Sequence, residues 1–100
     1  MSRTYRLTPR AFADLDAIAS YTLERWGEAQ AEAYLRALSN RFEWLAENPE
    51  LGKPRDDIAK GYRCYLQGRH LIFYVFKDES VDIFGLPTKR WISIVSFELL

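Results

Sequence analysis

A cluster of basic and aromatic residues occupies the stretch from residue 60 to residue 69. Lys60, Arg63 and Arg69 supply the cations, and Tyr62 and Tyr65 lie between them. On an open sheet, arginines could hold a phosphate backbone while tyrosine rings stack on bases. The alternative is that these cations form surface salt bridges with carboxylates of neighbouring helices, and residue type alone favours that alternative.

The remaining reactive side chains form no catalytic set. A general base at His70 would need an orienting carboxylate and a target that the sequence does not show, so we interpret it as a structural histidine at a strand end. Cys64 is the single cysteine, and with a single histidine the sequence supports neither an internal disulfide nor a metal cluster. Asp14 and Asp16 cannot face each other on a helix. Nucleotide-binding and nucleophile motifs do not occur either, so we predict no cofactor.

Composition indicates one globular domain spanning residues 1–100. The chain is 48% hydrophobic and 28% charged, which excludes a disordered protein. Fourteen basic and fourteen acidic residues cancel, so global charge predicts no sequence-specific contact with nucleic acid. We find neither a membrane-spanning run nor an apolar N-terminal signal, and a cytoplasmic location is expected. Aromatic residues make up 15% of the chain, an excess that suggests a surface for a protein partner.

A helical hairpin is predicted in the first half of the chain. Residues 3–7 alternate as a short edge strand, and Thr8-Pro9 then provides an N-cap and a first helical position. An apolar stripe from Phe12 to Trp26 predicts one helix, which Gly27 ends in the left-handed conformation. A second stripe predicts a helix over residues 28–48. Three aromatic residues lie off these stripes and either seal the core edge, which we favour, or face a partner: Tyr21, Tyr34 and Trp44.

Three strands are predicted in the second half. Residues 62–66 and 71–76 flank a tight turn at Gly68, and the second of these runs is apolar throughout, as expected for a strand covered on both faces. Residues 49–60 form a loop, and residues 81–84 begin a third strand. The predicted fold class is α+β: a short N-terminal strand, an antiparallel two-helix hairpin, and a three-stranded antiparallel meander packed against it.

Taken in order, several short motifs resemble the ParE branch of the RelE/ParE toxin superfamily. The match runs from about Tyr5 to Ile83, and the ordered set is more specific than any one piece. The motifs are Arg6-Leu-Thr-Pro-x-Ala11, Asp14-Leu-x-x-Ile18, Tyr21, Trp26-Gly27, Glu47-Asn-Pro-x-x-Gly-x-Pro54, Gly61-Tyr-Arg63 and His70-x-Ile-x-Tyr74.

The resemblance implies the toxin of a bacterial type II toxin–antitoxin system. ParE-like toxins are known for poisoning DNA gyrase, and the partner is typically a ParD-like antitoxin whose disordered tail folds around the toxin. Such a tail is expected to place an amphipathic helix against the helical hairpin and extended chain along the sheet. We predict that the antitoxin-binding surface includes Trp26, Tyr34, Tyr62, Arg63 and Tyr74.

RelE-like relatives instead cleave messenger RNA on the ribosome. In that alternative, Lys60, Arg63 and Arg69 would hold the scissile phosphate. Such enzymes usually also carry a C-terminal tyrosine or similar group, whereas this chain has no tyrosine after Tyr74. The resemblance therefore favours a gyrase-inhibiting binding protein over a ribonuclease. A third alternative is an inactive toxin body that only binds antitoxin.

The C-terminus departs from the family pattern. After residues 81–83, family members usually continue with an arginine-x-x-histidine-glutamine stretch, but here Pro87 breaks the expected strand and an apolar tail follows. A shifted reading frame can restore part of the family pattern. Residues 84–100 are therefore either a frameshifted replacement or a divergent tail, and both interpretations stay open.

Overall fold

The computed structural model describes residues 4–88, which form two helices packed on a five-stranded sheet. This architecture confirms the predicted α+β class. The helices are α1 (Pro9–Trp26) and α2 (Glu28–Glu47), and a short 3-10 turn follows at Pro49–Leu51. The strands are β1 (Thr4–Leu7), β2 (Lys53–Pro54), β3 (Tyr62–Gln67), β4 (His70–Lys77) and β5 (Ser80–Gly85). Neither helix of the described region combines the length and apolar character needed to cross a bilayer.

Local sequence signals set the helix ends. The Thr8 hydroxyl accepts the Ala11 N–H at 3.2 Å, and Pro9 occupies the first helical position, as predicted. Gly27 joins the helices: its N–H donates to the Leu23 carbonyl, while its own carbonyl accepts from Ala31. Its φ is positive at 89°, but its ψ of 174° is extended, so the predicted left-handed helical conformation is wrong in ψ.

The sheet has the strand order β1-β5-β4-β3-β2. The predicted meander of β3, β4 and β5 is confirmed, and β1 lies at an edge, where it pairs in parallel with β5. Strand β2 was not predicted, because Gly52 and Pro54 favoured a loop. Its two residues pair with Cys64 and Arg63 at the opposite edge, a position where the missing proline N–H costs no sheet hydrogen bond.

Strand β4 lies at the centre of the sheet and is covered on both faces over its first half. Ile72 and Tyr74 point toward the helices and join the main core. Leu71 and Phe73 point to the other face, where they pack with Cys64 in a second cluster. The prediction of two covered faces therefore holds for residues 71–74. It fails at the far end, where Phe76 is 40% exposed.

A buried tyrosine hydroxyl holds the turn after α2 on one end of the β3–β4 hairpin. The Tyr74 hydroxyl donates to the Pro49 carbonyl at 2.7 Å and accepts the Gly52 N–H at 2.9 Å. Burial raises the pKa of this tyrosine, so the hydroxyl keeps the proton it donates. Arg63 reinforces the contact by donating to the Gly52 carbonyl at 2.7 Å and the Glu50 carbonyl at 3.1 Å.

A second tyrosine hydroxyl holds the other end of the hairpin on α2. The Tyr34 hydroxyl lies 2.7 Å from His70 Nδ1 and accepts the Arg69 N–H at 3.1 Å. It also lies 3.2 Å from the Gln67 carbonyl, which it can reach as a donor. Gly68 has φ +59°, and a Cβ there would stand 2.7 Å from the Tyr34 ring, so the turn requires glycine for both conformation and space.

Residues 84–88 are integrated into the fold. Leu86 is buried in the main core, and its N–H donates to Asp14 Oδ2 at 2.8 Å. The Pro87 carbonyl accepts the Leu71 N–H at 2.8 Å, and Thr88 bridges to His70, so pairing with β4 continues past the proline. The rest of the predicted atypical tail lies outside the described residues.

Tyr74→Phe is expected to destabilise the protein by about 1–3 kcal/mol, because a buried carbonyl and a buried N–H lose their partner. The measurement is the free energy of unfolding in urea. Tyr21→Phe is the matched control, since Tyr21 is 51% exposed and its change should stay within about 0.5 kcal/mol. Equal effects of the two substitutions would contradict the proposed role of Tyr74.

The His70 imidazole is expected to make stability depend on pH. Burial lowers its pKa from 6.5, partly offset by Asp14, while Arg69 lowers it further. The folded state thus binds a proton less readily than the unfolded state, so this contribution is complete above about pH 7 and is lost as pH falls through the folded pKa. NMR titration of this single histidine in the folded and urea-unfolded chain measures both values. A folded pKa at or above the unfolded one would contradict the expectation.

Candidate functional site

A groove runs between α1 and the β3–β4 turn. We call it the turn groove and define it by Ile18, Tyr21, Trp26, Tyr34, Arg69 and His70. It consists of two adjoining cavities of about 740 and 240 Å³, which share Tyr21, Arg69 and His70. Thr88, the last described residue, lines the larger cavity.

One face of α1 forms the wall of the turn groove. Asp14, Ile18 and Tyr21 follow helical spacing, so their side chains project from the same side. Tyr21 is 51% exposed and Trp26 is 58% exposed. Large aromatic rings exposed at a groove bring much apolar area to a partner at a small entropic cost.

The floor of the groove is held rigidly. Tyr34 and His70 lie there, and their rings meet at a centroid distance of 5.6 Å in addition to their hydrogen bond. Burial raises the pKa of Tyr34 and lowers that of His70, so both groups are neutral near pH 7. Their hydrogen bond and ring contact give the groove a preorganised floor.

Asp14 and two arginines supply the formal charges around the groove. Asp14 is already engaged, since it accepts the Leu86 N–H and lies 3.6 Å from Arg10. Arg69 is exposed on the turn, and the guanidinium of Arg25 lies over the Tyr21 ring at 5.6 Å. Among residues 4–88, the uncompensated charge at the groove is therefore positive.

A second groove lies on the other side of α1. We call it the helix groove; it lies between α1, α2 and β1, and Tyr5, Phe12, Leu15, Leu35 and Phe42 supply its apolar lining. Its volume is about 350 Å³. Phe12 was predicted to belong to the core stripe, but it is 60% exposed at this groove. Helix α1 is thus a ridge between two apolar grooves.

The residues predicted to bind antitoxin do not form one surface. Trp26 and Tyr34 share the turn groove. Tyr62 lies on the helix-free face of the sheet, 4.3 Å from the Phe84 ring, and Arg63 is occupied with two carbonyls. Tyr74 is fully buried, because its register on β4 turns it toward the helices. Its assignment to an exposed binding surface is therefore wrong.

The three cations considered for phosphate chemistry are not brought together. Lys60 and Arg63 lie near the start of β3, whereas Arg69 follows its end. The four residue steps of β3 from Arg63 to Gln67 span about 13 Å, and Arg69 lies beyond them in the turn, too far for both arginines to hold one phosphate while Arg63 binds its carbonyls. The salt-bridge alternative is not what the structure shows for Arg63 either, because its acceptors are backbone carbonyls rather than carboxylates.

The three aromatic residues that lie off the predicted helix stripes take different positions in the structure. Tyr34 and Trp44 seal core edges as favoured, Trp44 by packing 5.3 Å from Tyr65. Tyr21 instead stays exposed in the groove. The helical spacing of Tyr21 from Asp14 and Ile18 indicates that the three side chains share one face of α1. Only the position of the β3–β4 turn shows that a groove lies beside this face.

Comparison with known proteins identifies relatives in sequence. A family model described as the ParE toxin of the type II toxin-antitoxin system parDE matches residues 5–87. Toxin ParE1 of Caulobacter vibrioides is 44% identical over 72 residues, 72% of this chain and 75% of the relative. Toxin ParE1 of Mycobacterium tuberculosis is 42% identical over 91 residues, 90% of this chain and 93% of the relative. An alignment that covers 90% of 100 residues must extend to residue 90 or beyond, so the similarity does not stop at Phe84.

Solved structures share the fold. A chain of the chromosomal ParDE system from P. aeruginosa superposes with a TM-score of 0.74 at 19% identity, covering 87% of this chain and 96% of that one. A chain of the RelBE2 complex from Mycobacterium tuberculosis superposes with a TM-score of 0.60 at 24% identity, covering 89% and 100%. Because the family model and the sequence relatives both extend over most of its length, this chain belongs to the ParE family of toxins from type II toxin–antitoxin systems.

Proposed function

We propose that this toxin inhibits DNA gyrase by binding it and is neutralised by a ParD-like antitoxin, both in the bacterial cytoplasm. The observation that carries the proposal is the match of the parDE family model to residues 5–87. The site supports binding over catalysis, because the three cations considered for phosphate chemistry are not grouped: Lys60 and Arg63 lie at the start of β3, and Arg69 lies beyond its end.

The geometry also supports a route for the antitoxin. An amphipathic helix can place its apolar face in the helix groove at Phe12, while the adjoining chain crosses α1 to reach Trp26 and Tyr34 in the turn groove. Tyr62 and Arg63 would be contacted only by a segment that continues along the sheet. Their part in binding stays a prediction.

The purified chain is expected to block supercoiling by gyrase and to trap cleaved DNA. An in vitro supercoiling assay with a cleavage readout measures both effects. Lys60→Ala should leave inhibition intact, since Lys60 is an exposed loop residue away from both grooves. Cleavage of ribosome-bound messages that is lost in Lys60→Ala would instead support the ribonuclease alternative. A chain that binds antitoxin without either activity would be the inactive body.

Trp26→Ala is expected to weaken binding of a ParD-type antitoxin from the same operon by about thirtyfold, because it removes an exposed aromatic anchor from the turn groove. Isothermal titration calorimetry gives the affinity. The matched control is Leu51→Ala, which truncates a similarly exposed apolar residue in the turn after α2. Equal affinities for wild type and Trp26→Ala would remove the turn groove from the antitoxin interface.

A further inference from the structure

Two arginines differ from all others in the described part of the chain. Among residues 4–88, the side chains of Arg25 and Arg69 have no oxygen acceptor. The other arginines in this range each contact an oxygen: Arg6 of Asp82, Arg10 of Asp14, Arg36 of Glu32, Arg41 of Gln67, Arg55 of Asp57, and Arg63 of two backbone carbonyls.

Both exceptions border the turn groove. Arg69 lines both of its cavities, and Arg25 lies over Tyr21, which lines both as well. A guanidinium presents a rigid set of donors that matches a carboxylate. The chain carries equal numbers of acidic and basic residues, yet these two guanidinium groups have no acceptor among residues 4–88 and are available to a carboxylate of a ligand. Asp14, the acid in the groove, is already compensated by Arg10 and the Leu86 N–H.

The backbone that carries Arg69 is fixed before any ligand binds. The Arg69 N–H donates to the Tyr34 hydroxyl, and the preceding Gly68 lies so close to the Tyr34 ring that a Cβ would not fit. Beside Arg69, Tyr21, Trp26 and Ile18 line the groove with apolar surface, and Arg25 lies over the Tyr21 ring. A cation that is already held beside an apolar surface selects ligands by their charge, and little conformational entropy is lost when a ligand binds.

We propose that the turn groove binds an acidic linear segment of the antitoxin, with an aliphatic or aromatic side chain seated against Tyr21 and Trp26 and carboxylates paired to Arg25 and Arg69. This inference rests on the proposed function, since it takes the antitoxin as the ligand. It adds the chemistry of the bound segment and makes the two arginines the residues that determine specificity.

The test uses the full chain and two probes. The first is a labelled short peptide in which Leu and Phe alternate with Glu and Asp, compared with its Gln and Asn counterpart. The second is the ParD-type antitoxin of the same operon. The variants are Arg69→Gln, Arg25→Gln and their combination, and Lys77→Gln is the control because it removes an exposed cation at the distant β4–β5 turn.

Wild type and Lys77→Gln should bind the acidic peptide at least about tenfold more tightly than the neutral one, as expected for one charge-assisted contact. The double variant should lose this preference and bind the antitoxin about a hundredfold more weakly. Added salt should weaken wild type more than the double variant, because screening acts on the charge pairs. Thermal unfolding should shift only slightly, because the double variant loses the exposed Arg25–Tyr21 contact at the end of α1, and neither arginine has an oxygen partner within residues 4–88.

Three outcomes would overturn the inference: equal affinity for the two peptides, antitoxin affinity unchanged in the double variant, or self-association of wild type that the double variant abolishes. The last would assign the groove to a second copy of the chain. Antitoxin binding that ignores the arginines leaves the proposed function standing and removes only this inference. Peptide selectivity and arginine-dependent antitoxin binding without gyrase inhibition would leave this inference standing and remove the gyrase part of the proposed function.

Discussion

The fold depends on covering both faces of strand β4. This strand is hydrogen-bonded on both sides, and its residues 71–74 are buried. The helical hairpin covers the face with Ile72 and Tyr74, while the segment around Ile58, together with Phe84, packs against the cluster on the other. The last turns of α1 are less covered: Thr22 is buried, but most of their residues are exposed. The exposed aromatic residues of the turn groove, Tyr21 and Trp26, lie there.

Two tyrosine hydroxyls fix the ends of the β3–β4 hairpin, and both use backbone groups that would otherwise lack partners. Tyr74 satisfies the turn after α2, and Tyr34 satisfies the turn between the strands. Each is placed by a glycine, Gly52 or Gly68, whose missing side chain lets the ring approach the backbone. A groove bounded by such a turn is largely preformed, so a ligand spends little free energy on ordering it.

Much of this could be predicted from the sequence, and what could not has a common physical cause. Helix stripes, the Thr8 cap and the strand pattern gave the elements, because they depend on local spacing and capping. The prediction that Tyr74 lies on a binding surface was wrong, because residue type favours an interface, whereas strand register decides which face of the sheet a side chain takes. The grooves could not be predicted, since a groove arises between elements distant in sequence, as Tyr21 and Arg69 are. Strand β2 could not be predicted, because its two residues form a strand through pairing with β3 rather than through any preference of their own.

The two grooves on either side of α1 bear on how such a toxin can be neutralised. A rigid partner can fill both grooves only if its surface is concave, because the ridge of α1 stands between them and Phe12 lies roughly 20 Å from Trp26 along the helix axis. A chain that folds as it binds can cross the ridge and fill both, at the cost of ordering itself. Such a partner needs favourable contacts at separate points along its path, which offset the conformational entropy that it loses on binding. Apolar area in the helix groove and cations beside apolar area in the turn groove are contacts of that kind. On this argument, the surface favours a pliable antitoxin segment over a globular one, independently of what the toxin does to its target.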